Sequence, residues 1–215
     1  MKITAPKTAD EYFKLTEHAV QQHYAGLDSC WSYYKKALKH WDISKIGEPL
    51  TKENKESLHK YLELTKKYFD LKFSEAMFAG GILQISFIAI KLYSQNGLVP
   101  SSCDSLVKSE KNKIIKSAIP FCIGRECYGI PSGLLVYAGR NHFNHWDDDE
   151  PHEVPKNVFN ALSIAFMNNM WADLAFELSN PTINVYANEI LLTALKWVTY
   201  EDYIVNMKEI LTQDN

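Results

Sequence analysis

The chain has 215 residues and a formal net charge of −3, so it is long enough for one sizeable hydrophobic core and too weakly charged for a general nucleic-acid binder. Apolar residues make up 46% of it and charged residues 23%, which excludes an intrinsically disordered chain. The first seven residues lack the apolar core of a signal peptide, and the four cysteines show no Cys-x-x-Cys spacing. We therefore expect reduced thiols and a cytoplasmic protein.

Charge is spread unevenly along the chain. Residues 1–72 carry 13 basic and 10 acidic groups, and residues 73–215 carry 10 and 16. The net charges of the two parts are therefore +3 and −6. If the protein binds RNA, we expect it to do so through a local patch, since counterion release scales with the phosphates that are contacted.

The first third of the chain predicts two amphipathic helices. Thr8 and Glu11 form a capping box, followed by a helical apolar stripe about thirty residues long that ends near Trp41. Gly47 and Pro49 predict a loop, and Thr51 can cap the next helix. The expected apolar stripe of that second helix is Leu58, Tyr61, Leu62, Tyr68 and Phe69.

Residues 76–92 form the most apolar stretch of the chain. A membrane span needs about twenty such residues. This run is shorter and contains Gln84, Ser86 and Lys91, so we predict a buried core helix and no membrane contact. Gly80-Gly81 predicts a close-packing point or a kink, and Asn96-Gly97 is a typical helix end.

The next segment predicts a lysine-rich helix and a loop. Ser101-Ser102-Cys103-Asp104 has good capping chemistry for a helix that Pro120 would limit. Residues 124–133 contain three of the nine glycines and indicate a loop, and no strand pair is predicted. The lysines of the expected helix are Lys108, Lys111, Lys113 and Lys116.

The remainder of the chain continues the helical pattern. We expect a helix from Pro131 to Trp146, ended by the acidic residues 147–150 and by Pro151, and another that Pro155 opens. That next helix extends toward Leu178, before the break at Asn180-Pro181. One further helix spans about 185–198, and Thr199 caps a last one. The predicted fold is an all-α, single-domain bundle of about seven or eight helices.

The chemistry of the chain concentrates in the hexapeptide Arg140-Asn141-His142-Phe143-Asn144-His145. Only two arginines occur, Arg140 and Arg125, whereas lysine supplies the other 21 of 23 basic residues. An arginine kept where lysine is the rule favours planar, bidentate recognition of phosphate or carboxylate. The alternative is that Arg140 pairs with the acidic residues just downstream.

Helical geometry relates the polar residues of this hexapeptide. Asn141 and His145 are four residues apart and share one face of a helix. Arg140 and His145 are five apart, so their side chains diverge on a straight helix. They can act on one ligand if the helix ends or kinks between them, or if two subunits share the site.

Arg140, the polar Asn141 after it, and His145 resemble the R-x4–6-H motif of the HEPN superfamily, in which Asn, Asp or His commonly follows the arginine. The resemblance covers about residues 131–147 and the helical architecture. It implies one HEPN-like domain over 1–215, with 1–72 as an N-terminal helical extension and 101–215 as the motif-bearing half. HEPN proteins include RNase toxins of toxin–antitoxin pairs, abortive-infection proteins and nuclease domains of RNA-guided effectors.

The resemblance implies a metal-independent endoribonuclease that needs no cofactor. Two protomers would pair so that both motifs line one cleft, and an antitoxin or another regulatory partner is possible. His145 would take the proton of a ribose 2′-OH, which attacks the adjacent phosphate and leaves a 2′,3′-cyclic end. Arg140 would stabilise charge on the phosphoryl oxygens, and Asn141 would orient His145 or the phosphate. The candidate RNA-binding residues are Arg125, His142, Lys113 and Lys116.

Two other functions are compatible with the same residues. A divalent-metal-dependent hydrolase could use a His/Asp cluster within 142–153, although its spacing matches no His-Glu-x-x-His motif. A non-catalytic HEPN-like module could bind a nucleotide or RNA, or mediate dimerisation. The ligands of the metal alternative would be His142, His145, Asp147–Asp149, Glu150, His152 and Glu153.

Overall fold

The computed structural model describes residues 6–40, 51–145, 152–167, 176 and 186–212, and these residues form an all-α, single-domain bundle. The predicted fold class is therefore confirmed. The α-helices of the described residues are α1 (Ala9–Leu38), α2 (Lys52–Asp70), α3 (Lys72–Tyr93), α4 (Ser132–Asn144), α5 (Glu153–Met167), α6 (Tyr186–Glu189) and α7 (Tyr200–Thr212).

Both N-terminal helices begin where their capping residues predict. The backbone N–H of Glu11 donates to the Thr8 hydroxyl oxygen at 3.2 Å, and Asn54 donates in the same way to Thr51 at 3.2 Å. Helix α1 continues without a break through Gly26 to Leu38. The expected continuation to Trp41 and the loop at Gly47 and Pro49 lie outside the described residues.

The predicted apolar stripe of α2 is wrong at two positions. Leu62 is 54% exposed and Phe69 is 61% exposed, whereas Leu64 is the buried residue of this helix. Helix α2 lies at the edge of the bundle and packs mainly on α1. One neighbour can bury only a narrow stripe, so part of the apolar face remains open.

Helix α3 is the predicted core helix, and it packs between α1 and α4. A Cβ added at Gly80 would lie 2.5 Å from the Phe143 ring of α4, and one at Gly81 would lie 2.4 Å from the His23 ring of α1. The glycine pair therefore lets two helices approach α3 closely, as expected.

Helix α3 is long and apolar enough to cross a membrane, but 44% of its 18-residue apolar window is buried inside the protein. The buried part of α3 packs mainly against α1 and α4. The helix ends at Tyr93, three residues before the predicted Asn96-Gly97. Asn96 instead holds the next loop, because its side-chain N–H donates to the Ile119 carbonyl at 2.6 Å.

The lysine-rich helix predicted to begin at Ser101 and end before Pro120 does not form. This region contains a 3-10 turn at Ser101–Cys103, a single β-bridge between Lys108 and Ile114, and a 3-10 helix at Lys116–Phe121. No apolar residue occurs between Val107 and Ile114, so a helix here would have no stripe to bury.

The segment predicted as a loop without strands contains a small antiparallel hairpin. Strand β1 (Glu126–Cys127) pairs with β2 (Ile130–Pro131). Tyr128 and Gly129 between them have φ values of 55° and 77°, the left-handed pair that a tight hairpin turn requires. Pro131 therefore ends β2 and precedes α4, whereas the sequence placed it inside the first helical turn.

The C-terminal elements follow the expected order with one change. Pro155 lies in the first turn of α5, and the last helix is capped reciprocally by Thr199 and Asp202. The helix expected over 185–198 is instead the short α6, followed by a π-turn at Ile190–Ala194. The predicted extension toward Leu178 and the break at Asn180-Pro181 fall outside the described residues.

The burial of α4 changes along its length. Every residue from Ser132 to Gly139 is buried, whereas residues 140–145 are half-buried or exposed. The first turns of α4 thus belong to the core, and its last turn reaches the rim of the bundle. The hexapeptide occupies that rim.

Candidate functional site

Helix α4 ends between Arg140 and His145. Its last residue is Asn144, and His145 has left the helical backbone, with φ −128° and ψ 30°. The His145 backbone N–H still donates to the Asn141 carbonyl at 3.1 Å and to the His142 carbonyl at 3.2 Å. This helix end meets one of the conditions under which Arg140 and His145 can act on one ligand.

A cavity of about 310 Å³ opens beside this helix end. One wall comes from the last turns of α4, one from the start of α5, and one from the start of the 3-10 helix. Its polar groups lie beside an apolar side formed by Ile115, Val154 and Pro155. The complete lining is Ile115, Ser117, Tyr137, Asn141, His145, His152, Glu153, Val154 and Pro155.

Two histidines face each other in this cavity. The ring centroids of His145 and His152 are 4.5 Å apart, and the ring planes meet at 80°. His152 directly precedes α5, and its carbonyl accepts a hydrogen bond from the Lys156 backbone N–H at 3.0 Å. The first turn of α5 therefore fixes the backbone of His152, and the last turn of α4 fixes that of His145.

A pair of hydroxyl groups completes the polar lining. The Ser117 hydroxyl and the Tyr137 hydroxyl are 2.9 Å apart and share a hydrogen bond. The Tyr137 ring packs edge-on against Phe121, with centroids 5.0 Å apart, and this contact holds the phenol at the cavity wall. Sequence reasoning missed Tyr137, although its four-residue spacing from Asn141 places the two on one helical face.

Arg140 points away from the cavity, toward α3. Its Nε donates to the Gln84 side-chain oxygen at 2.8 Å, and one terminal nitrogen donates to the Asn141 side-chain oxygen at 2.8 Å. Its Cζ lies 4.5 Å from the centroid of the Phe87 ring. In the orientation of the Asn144 amide that satisfies the hydrogen bonds of the surrounding groups, the Asn144 oxygen accepts a hydrogen bond from Arg140 Nη2 at 3.0 Å. Three amides and a ring thus surround the guanidinium.

These hydrogen-bond partners of Arg140 are neutral. Among the described residues, no ion pair involves Arg140. Burial lowers the pKa of its guanidinium, and the nearby Tyr137 opposes that shift. An arginine nevertheless keeps its charge at any physiological pH. The alternative in which Arg140 pairs with residues 147–150 falls outside the described residues.

Asn141 connects the two parts of the site. Its side-chain oxygen accepts the hydrogen bond from Arg140, and the same residue lines the cavity with His145. The structure therefore brings Asn141 and His145 together, as their spacing predicted. It does not bring Arg140 into the cavity of the same chain.

Two other predicted RNA-binding residues have contacts inside the bundle. Arg125 donates to the Asn206 side-chain oxygen and to the Leu195 carbonyl, both at 2.6 Å. The His142 ring packs edge-on against Phe159 of α5, with centroids 5.3 Å apart, and burial lowers its pKa to about 4. Neither residue lines the cavity.

The two predicted RNA-binding lysines are exposed. Lys116 is the sequence neighbour of Ile115 and Ser117, both of which line the cavity, but it is not itself part of the lining. Lys113 lies in the turn that precedes the 3-10 helix, and its backbone N–H donates to the Ser109 hydroxyl at 3.3 Å. Exposed basic groups can attract the phosphates of an approaching strand.

The structure separates His142 from the other described ligands of the metal alternative. His142 turns toward the core, while His145, His152 and Glu153 line the cavity. Within the described part of the chain, no group of three or more His, Cys, Asp or Glu side chains has an arrangement that could hold a metal ion. Asp147–Asp149 and Glu150 fall outside that part.

Comparisons with protein-family models, with curated proteins and with solved structures gave no match.

Proposed function

We propose that this chain is a metal-independent endoribonuclease of the HEPN type that acts in the cytoplasm. The observation that supports it best is the end of α4, where Asn141 links the guanidinium of Arg140 to the cavity that holds His145. A strong cation, an amide and an imidazole are the groups that metal-free RNA cleavage needs.

The reaction is an internal transfer of the phosphate. His145 takes the proton of a ribose 2′-OH, and the 2′-oxygen forms a bond to the adjacent phosphorus. The bond from phosphorus to the 5′-oxygen of the next nucleotide breaks, which leaves a 2′,3′-cyclic phosphate and a 5′-OH. Arg140 stabilises the negative charge that grows on the phosphoryl oxygens. DNA lacks the 2′-OH and is not cleaved.

Because Arg140 lies outside the cavity of its own chain, the proposed mechanism requires a site that two protomers share. In a homodimer, Arg140 of each protomer would face the phosphate bound in the cavity of the other. The neutral partners of Arg140 suit this role, because exchanging a neutral amide oxygen for an anionic phosphate oxygen adds the attraction between opposite charges to the hydrogen bond. A toxin or defence role, with an antitoxin or regulatory partner that blocks the cleft, fits such an enzyme.

Incubation of the purified protein with mixed RNAs in EDTA tests this function. We expect cleavage with 2′,3′-cyclic phosphate and 5′-OH ends, and a loss of about 100-fold or more in His145→Ala. The matched control is His59→Ala, which removes an exposed histidine on α2 and should cleave normally. Full activity in folded His145→Ala would exclude this mechanism, and loss of activity in EDTA would favour the metal-dependent hydrolase.

One observation favours a second candidate, a non-catalytic module that binds RNA or a nucleotide. Arg140 already has neutral partners and lies outside the cavity of its own chain. A module that only binds RNA or a nucleotide does not need Arg140 and His145 to contact the same phosphate. Binding of RNA that Arg140→Ala weakens, with no cleavage products in any RNA pool, would favour this candidate.

A further inference from the structure

The cavity contains a second imidazole that the HEPN motif does not include. His145 and His152 come from two different helix ends, and their rings meet nearly at a right angle with centroids 4.5 Å apart. Perpendicular rings direct their nitrogens along different lines, so the pair can address two different oxygen atoms of one bound phosphodiester.

The proposed reaction needs two proton transfers. The attacking 2′-oxygen loses a proton, and the leaving 5′-oxygen must gain one, because an alkoxide is a poor leaving group. The R-x4–6-H motif supplies one histidine, which accounts for the first transfer only. A proton donor for the second transfer must therefore come from elsewhere.

We propose that His152 donates a proton to the leaving 5′-oxygen while His145 accepts the proton of the 2′-OH. The O2′–P bond forms as the P–O5′ bond breaks. After the step His145 carries the extra proton and His152 is neutral, and exchange with water restores both. This inference rests on the proposed ribonuclease function.

The other groups of the cavity are poorer donors near neutral pH. Carboxyl groups have generally lost their proton at that pH, and phenols and hydroxyls hold theirs too tightly. An imidazole can carry a proton and release it. Among the residues that the structure describes, the titratable groups that line the cavity beside the histidine pair are Tyr137 of α4 and Glu153 of α5.

A comparison of two substrates tests this assignment. The first is the dinucleotide UpA, whose leaving group is an alkoxide, and the second is uridine 3′-(4-nitrophenyl phosphate), whose leaving group needs no proton. We expect His152→Ala to lose about 100-fold or more on UpA and to stay within a few-fold of wild type on the nitrophenyl ester. His145→Ala should lose activity on both substrates.

The ratio of the two rates is the deciding quantity, because it does not depend on the fraction of folded enzyme. An equal loss on both substrates, or no loss on either, would overturn the role of His152 while leaving the ribonuclease function intact. A wild-type protein inactive on UpA, on the nitrophenyl ester and on mixed RNAs would instead overturn both proposals. His152→Gln repeats the test with a side chain that keeps more of the volume, and His59→Ala should leave the ratio unchanged.

The pH dependence gives an independent readout. In the wild type, cleavage of UpA should fall at high pH because His152 must be protonated, and at low pH because His145 must not be. His152→Ala should lose the alkaline fall and retain the acidic one. An unchanged bell-shaped profile in this variant would contradict the proposal.

Discussion

The two arginines of this chain are held in different ways. Arg125 bonds to Asn206 of α7 and to the backbone carbonyl of Leu195, both at 2.6 Å. Arg140 bonds to the side chains of Gln84 and Asn141 and lies over a ring. Both guanidinium groups join two chain segments, but Arg125 does so partly through a backbone carbonyl, whereas the hydrogen-bond partners of Arg140 described above are all side chains.

Under the proposed function, this difference distinguishes Arg125, as a structural cation, from Arg140, as a functional one. A backbone carbonyl that receives a charged hydrogen bond is an obligatory partner, since it would otherwise be left unsatisfied. A side-chain amide can turn toward water or toward a ligand at small cost. Both arginines are scarce in the sequence, so scarcity alone does not distinguish them.

The largest expected effect comes from removing Arg140. Under the proposed function, Arg140→Ala should lower cleavage by about 10²- to 10³-fold, because charge on the phosphoryl oxygens loses its stabilising donor. Thermal unfolding of the purified variant should change little, since its hydrogen-bond partners are partly exposed amides. If the variant loses much of its stability as well as its activity, Arg140 has a structural role like that of Arg125.

For Arg125 we expect the opposite result, in which substitution lowers stability. Arg125→Ala should lower the free energy of unfolding by about 2–3 kcal/mol, because two hydrogen bonds to a charged group are lost. Urea denaturation followed by circular dichroism measures this change. Arg125→Lys is the matched control, and it should recover only part of the loss since lysine cannot form the same fork. A stable Arg125→Ala that no longer binds RNA would support the RNA-binding role suggested by the sequence.

A comparable effect on stability concerns His142, which lies between Arg140 and His145 in sequence but faces the core. Burial lowers its pKa to about 4 in the folded protein, against about 6.5 in an unfolded chain. The unfolded state alone binds this proton between those values, so stability should fall by on the order of 3 kcal/mol as pH drops from about 6.5 to 4. His23, whose pKa burial also lowers, contributes in the same direction.

Urea denaturation at several pH values measures this dependence. His142→Gln should flatten it, because glutamine does not titrate, whereas the exposed His18→Gln should not. An identical slope in both variants would mean that the buried imidazole is not the cause of the acid sensitivity.

The smallest expected effect is that of a charged partner for Arg140, which tests whether cleavage depends on its partners being neutral. Gln84→Glu keeps the shape of the side chain but places a carboxylate where Arg140 Nε now donates to an amide oxygen. We expect an ion pair that competes with the substrate phosphate and lowers cleavage by about tenfold, with stability kept or slightly raised. Gln84→Met is the matched uncharged control. Equal activity in wild type and Gln84→Glu would show that the charge of Arg140 is not used.

The sequence predicted the helices that have both a cap and an apolar stripe. Thr8, Thr51 and Thr199 each begin a helix as expected. The prediction failed between Ser101 and Pro120, where good capping residues had no apolar stripe behind them. A cap satisfies the first turn of a helix, but burial against the bundle supplies most of its stability.

In the site, the relation between residues close together in sequence could be predicted, whereas the contacts between distant segments could not. The four-residue spacing of Asn141 and His145 predicted that they share one helical face, and in the structure both residues line one cavity. Nothing in the sequence linked Gln84 or Phe87 to Arg140, because those contacts join residues more than fifty positions apart. His152 entered the sequence argument only as a possible metal ligand, since the position of its ring depends on how α5 packs beside α4.

The close contact at Gly80 also sets the register between α3 and α4. Phe143 lies over Gly80, and Arg140 meets Gln84 one turn further along α3, so the two helices run antiparallel. Sliding α4 by one turn would place Arg140 opposite Gly80 or Ile88, and neither side chain can accept a hydrogen bond. The packing of the Phe143 ring on Gly80 therefore favours the register of α3 and α4 in which Arg140 reaches the side-chain oxygen of Gln84.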